Sequence, residues 1–198
     1  MFPTILRYFT LFVIALFLSV GSHAVEYGIG PDGTGYVQGY LPPDSVDTPP
    51  DHFIGPNENL ESADLTFVDL SDANLSGANL KNAILQVTNL NRANLENAIL
   101  TNADLSGTRF NEANLRGADL SNTWVFGTIF SDADLTGANL SYTNNQVPNY
   151  TNAILRRVNF TGAIFNAPIF FVTDLSGANF SNADLSLAQL QGTVWDNV

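Results

Sequence analysis

Every fifth residue from 60 to 195 is a large apolar side chain, with one exception. Of these 28 positions, 18 are Leu and 6 are Phe, and the rest are Val125, Asn145, Tyr150 and Trp195. The residue two places earlier is small: of 27 such sites from Ala63 to Thr193, 16 are Ala and 7 are Thr, with Val68, Val158, Pro148 and Pro168 completing the set. Between the two stands Asp or Asn in most units, as in Ala73-Asn74-Leu75 and Ala103-Asp104-Leu105. A period of five excludes an amphipathic helix, which repeats at 3.6, and any long flat strand, which repeats at two. It fits a chain that takes one short extended step, with the small and the large residue both inward, and then turns a corner. No unit of five residues can bury its own apolar pair, so the units must wrap and stack around one continuous core.

The unit Ala-(Asp/Asn)-Leu-x-x resembles the motif of the pentapeptide repeat proteins, and the resemblance covers about residues 58–197. It implies an all-β fold, a right-handed quadrilateral β-helix with four units per coil and Leu, Phe and Ala inside. Residues 20 apart then stack. About seven coils spaced by ~4.8 Å make a rod roughly 33 Å long. One inward column reads Leu70, Leu90, Phe110, Phe130, Tyr150, Phe170, Leu190, and its aromatics become neighbours only through the offset of 20. Another runs from Leu75 to Trp195, which is expected to close the last coil, and no amphipathic helix follows it.

Function in such a rod is written in departures from the pattern. Asn145 takes an inward position between Val125 and Phe165, where an amide without partners costs about 1–3 kcal/mol. Pro148 and Pro168 stack on successive coils, each without a backbone donor, which predicts a local bulge on that side. The side made of units 63–67, 83–87, 103–107, 123–127, 143–147, 163–167 and 183–187 carries Phe67, Ile84, Val87, Trp124, Phe126, Val147, Ile164 and Leu187 outward. None of the other three sides carries more than four large apolar residues outward. Clustered exposed apolar area marks an interface. Three arrangements suit it: a protein partner, self-association, or coverage by the Tyr-bearing segment before residue 58. Local displacement of the backbone at Trp124 and Phe126 is a further alternative.

The chain carries 19 acidic and 7 basic residues, a net charge of −12, which argues against nucleic-acid binding. Cysteine is absent and the two histidines, His23 and His52, precede the repeats, so thiol chemistry and a Ser-His-acid set are both excluded from the repeat body. Paired acids such as Asp132 and Asp134 point outward on a convex surface with no cleft to desolvate them, and no enzymatic activity is expected. The Asp and Asn before each core Leu form separate outward columns rather than a converging cage of oxygens, so neither a metal nor another cofactor is expected. Arg92 with Glu112, and Glu96 with Arg116, occupy equivalent positions of adjacent coils and are expected to pair at the surface. Arg156-Arg157 reads as a solvated basic spot.

Ahead of the repeats, Arg7 precedes the apolar run Phe9–Val20, followed by Ser22 and Ala24 at −3 and −1 of a cut before Val25. Residues 1–24 thus read as a secretory signal peptide, and the run is too short for a membrane-spanning helix. The mature chain is expected in a periplasm, a lumen or outside the cell, without a membrane anchor. Residues 25–57 hold six of the nine prolines, six glycines, five acids and no Lys or Arg, a composition that predicts neither a long helix nor a central strand, with the part nearest Gly55 ordered. Residues 58–198 form the β-helix.

Two functions suit this chain: an exported, non-catalytic module that presents a rigid surface to a protein partner or to its own kind, and a mimic of duplex DNA that occupies a gyrase-type topoisomerase. The second follows from the resemblance alone, since some acidic members of the family act so. Charge density weighs against it: a duplex carries about 19 charges over 33 Å, whereas residues 58–198 hold 14 acids and 6 bases spread over four sides.

Overall fold

The computed structural model describes residues 26–29, 35–38 and 52–196. The signal-peptide reading of residues 1–24 lies outside them.

From Asn59 to Val194 the chain is a right-handed quadrilateral β-helix. Parallel bridges join residues 20 apart without a break in register, from Asn59↔Asn79 to Asp174↔Val194. Within the unit Ala93–Asn97 every backbone donor has a partner. Ala93 N–H closes the corner on Leu90 O (3.1 Å), Asn94 N–H donates back to Ala73 O (2.9 Å), and Leu95 and Asn97 N–H donate forward to Asn114 O (2.7 Å) and Arg116 O (2.9 Å). The fifth, Glu96 N–H, is met by Asn94 Oδ1 at 3.2 Å. This is the use of the recurring Asp or Asn: its side chain accepts from the backbone two residues on, as in an Asx turn. The corner residue two after each core position is left-handed through most of the rod, whether glycine (Gly77, φ 67°) or not (Asn97, φ 56°).

The inward residues form one core. Leu70, Leu90, Phe110, Phe130, Tyr150 and Phe170 are fully buried, and the rings of Phe110, Phe130, Tyr150 and Phe170 stack at centroid spacings of 5.0 Å within 6° of parallel. Buried threonines at the small position donate their hydroxyls to main-chain oxygens, Thr88 to Leu65 O (2.7 Å) and Thr108 to Leu85 O (2.6 Å). Trp195 does not seal the last coil. Its ring lies 5.8 Å from that of Phe180, and the residue keeps 37% of its surface exposed.

Two expectations fail in instructive ways. No bulge forms at Pro148 and Pro168: Asn149 bridges Ile129 and Ile169, and Pro148 O and Pro168 O accept from Ile169 N–H and Gln189 N–H, both at 2.9 Å. The small position donates only to the corner, not to the ladder between coils, so proline there removes no inter-coil bond. Ahead of the rod, Glu26–Ile29 (β1), Gly35–Gln38 (β2) and His52–Ile54 (β3) form an antiparallel sheet in the order β1-β2-β3, which places β2 in the centre. Pro31 and the four prolines from 42 to 50 fall between these strands. Proline content averaged over the whole segment therefore misjudged its proline-free pieces.

Candidate interaction face

On one side of the rod the isolated bridges widen into three parallel strands: β4 (Trp124–Phe126), β5 (Asn144–Gln146) and β6 (Ile164–Asn166). Their register is Trp124↔Asn144↔Ile164 and Phe126↔Gln146↔Asn166, with Val125, Asn145 and Phe165 pointing inward. Trp124 and Phe126 are each 56% exposed on either side of the buried Val125, so they stand on regular strand and do not displace it. Ile164 is 63% exposed. Phe67, Ile84, Val87, Val147 and Leu187 are exposed on the same side, which thus holds eight of the 14 large apolar residues exposed among the described residues.

Asn82, Asn97, Asn102 and Asn122 hold left-handed φ elsewhere, and asparagine tolerates that region well. On this side the same conformation is held by Phe67 (φ 64°), Val87 (φ 57°) and Val147 (φ 51°), and on two other sides by Tyr142 (φ 57°) and Val172 (φ 55°). A bulky or β-branched residue at positive φ is an outlier, but since three sides of the rod carry one it does not single out this side.

Asn145, beneath this side, is fully buried, and both of its polar side-chain atoms have a partner. Its Nδ2 donates to Thr143 Oγ1 (2.6 Å), the Tyr150 hydroxyl donates to its Oδ1 (3.0 Å), and the Thr143 hydroxyl donates to Leu140 O (2.8 Å). Burial pushes the Tyr150 phenol far above its ordinary value. The network is internal and offers no ligand a polar group. It explains how an amide survives in the core.

The acids of the side are Asp64, Asp104 and Asp184, and it has no Lys or Arg. Partial burial raises the Asp104 carboxyl, but hydrogen bonds from the Ser106 hydroxyl, Gln86 Nε2 and Ser106 N–H outweigh it and leave it below the usual carboxylate range. On other sides two of the cations take partners other than those expected. Arg92 forks onto Asp72 at 2.7 Å rather than Glu112, and Arg116 reaches Asp134 at 2.9 Å rather than Glu96. A shallow cleft of about 370 Å³ opens at Arg116, Arg156 and Arg157, where Arg156 is paired with Asp174. Among the described residues no group of three His, Cys, Asp or Glu side chains is placed to hold a metal, and no helix is long and apolar enough to cross a membrane.

The family model of pentapeptide repeats matches in eight copies, over residues 59–87, 88–123, 127–144 and 173–194, more than half of the chain. The chain therefore belongs to the pentapeptide repeat family. Among solved structures it is similar to a trypsin-treated form of QnrB1, a plasmid-mediated fluoroquinolone resistance protein, at 18% identity over 72% of this chain and 79% of that one, with a TM-score of 0.41. It is similar also to HetL, involved in heterocyst differentiation regulation in the cyanobacterium Nostoc sp. strain PCC 7120, at 23% identity over 70% and 85%, with a TM-score of 0.25. A third is a pentapeptide repeat protein of the Arabidopsis thaliana thylakoid lumen, at 28% identity over 62% and 68%, with a TM-score of 0.27. No curated protein matches the sequence.

Proposed function

We propose that this protein is an exported, non-catalytic interaction module whose contact surface is the side bearing Trp124 and Phe126. The observation that carries the reading is the concentration of exposed apolar side chains on that side. A rod needs none of these residues for its core. Burial of the side against a partner would remove apolar area from water at about 25 cal/mol per Å². Export rests on the pattern of residues 1–24. The non-catalytic reading rests on the lack of cysteine and on both histidines preceding the repeats.

Mimicry of duplex DNA is the weaker reading. Lys81–Glu61, Arg92–Asp72, Arg116–Asp134 and Arg156–Asp174 pair four of the acids with cations, which breaks up any continuous acidic track. The test is to compare wild type and Trp124→Ser, each purified from the native host, by sedimentation and by capture of host proteins, with intact mass and fractionation in parallel. The proposal expects a mature chain beginning at Val25 in an exported fraction and a complex weakened by the substitution. An intact Met1 chain in the cytosol, or identical profiles for the two proteins, would refute it.

A further inference from the structure

The occupant of this side is constrained by its charge and its spacing. The argument rests on the interaction-face reading above. The outward position just before each core residue reads, one coil at a time, Asp64, Ile84, Asp104, Trp124, Asn144, Ile164, Asp184, joined in register throughout. Acid and apolar residues alternate over the first four coils, and an acid returns at the last. With no Lys or Arg on the side, complementarity calls for a cationic partner.

A second copy suits the side poorly. Two copies paired antiparallel about Trp124 would set Asp64 of one against Asp184 of the other at both ends. Residues 25–57 suit it no better, since they add five acids and no base.

Coils spaced by ~4.8 Å nearly match the 5.4 Å pitch of an α-helix, so a helix laid along the rod presents about one side chain to each coil. Cations seven residues apart, with apolar residues three or four along between them, would then meet acids and apolar residues in turn. An extended strand repeats each face at about 6.6 Å and falls out of step. We infer that this side binds a cationic amphipathic helix lying along the rod axis, with its Lys or Arg at Asp64 and Asp104 and its apolar stripe on Ile84, Trp124 and Ile164. Flexible Lys stems absorb the small mismatch in pitch. The Trp124 ring offers a cation a second, aromatic contact.

The probe is a synthetic Lys/Leu amphipathic helix of about 20 residues, which spans the column at 1.5 Å per residue. It is titrated calorimetrically into the chain purified from its host, beside a Glu/Leu peptide of the same pattern. The Lys/Leu peptide is expected to bind and the Glu/Leu peptide to fail. Trp124→Ser should weaken binding about tenfold. Asp104→Asn keeps the Oδ1 that accepts from Ser106 N–H at 2.9 Å, and should weaken it by about threefold. Asp132→Asn, which removes the same charge from a neighbouring side, should leave it unchanged. Equal binding of the two peptides overturns the inference. So does equal loss in Asp104→Asn and Asp132→Asn, which would mean attraction to net charge alone, or a wild-type dimer that Trp124→Ser dissolves. Those outcomes leave the interaction face standing, whereas the face itself fails if Trp124→Ser alters neither self-association nor capture of host proteins.

Discussion

Replacement of Tyr150 by Phe removes one oxygen from the centre of the rod. The ring stays between Phe130 and Phe170, 5.0 Å from each, so the stacking is kept. What is lost is the 3.0 Å hydrogen bond to Asn145 Oδ1, an acceptor in a fully buried residue. An orphaned buried acceptor costs about 1–3 kcal/mol. At roughly 2–4 °C per kcal/mol for a chain of this size, the midpoint should fall by about 2–12 °C. Asn145→Leu alone orphans the Tyr150 hydroxyl instead and should lose a similar amount, offset in part by the apolar side chain it adds. The two changes together leave no polar atom unpaired, and Leu shares the branching of Asn at Cγ. The double variant should therefore recover most of the loss, with a coupling of about 1–3 kcal/mol. Thermal and urea unfolding followed by circular dichroism measures all four corners of the cycle. Additive single effects, or a Tyr150→Phe protein as stable as wild type, would refute the claim that these residues act as one unit.

Leu105→Asp places a charge at a fully buried position and should unfold the neighbouring coils, seen as loss of the β-type dichroism at ambient temperature. Val147→Asn relieves a left-handed β-branched residue and should raise stability by about 0.5–1 kcal/mol while weakening association, a trade read by unfolding and sedimentation together. Asp104, Asp134 and Asp174 have carboxyls held below the ordinary 3.8 in the folded chain. Their stabilisation is thus present above that value and lost as pH falls through the lower folded values. The midpoint should be flat above about pH 5 and fall below about pH 4, and a midpoint that rises on acidification would contradict the assignment.

The period of five carried most of the architecture, because each unit repeats the same local physics: a small and a large inward residue, an Asx cap and a left-handed corner. The aromatic column from Phe110 to Phe170 and the outward placement of all eight apolar residues on the Trp124 side were legible from the offset of 20. Asn145 was legible as an anomaly but not as a solved one. Its partner Tyr150 is the next large inward residue along the chain, and whether two inward side chains meet depends on rotamers that a repeat pattern does not encode. Arg92 has acids on both neighbouring coils, Asp72 and Glu112, and composition alone could not choose between them. β3 abuts Gly55, where order was expected, but β1 and β2 were hidden because proline and glycine content was judged over 33 residues, while these strands are four residues long.

The unbroken offset of 20 separates two kinds of sequence change. Deletion of a whole coil shortens the rod and leaves every surviving residue on its own side. Deletion of a single unit keeps each Leu inward and each Asx cap in place, but turns everything downstream by a quarter turn, so Trp124 and Ile164 would part company if the cut fell between them. Insertions and deletions in this gene thus come in two grammars: steps of five that the fold accepts, and steps of twenty that also preserve what the surface says.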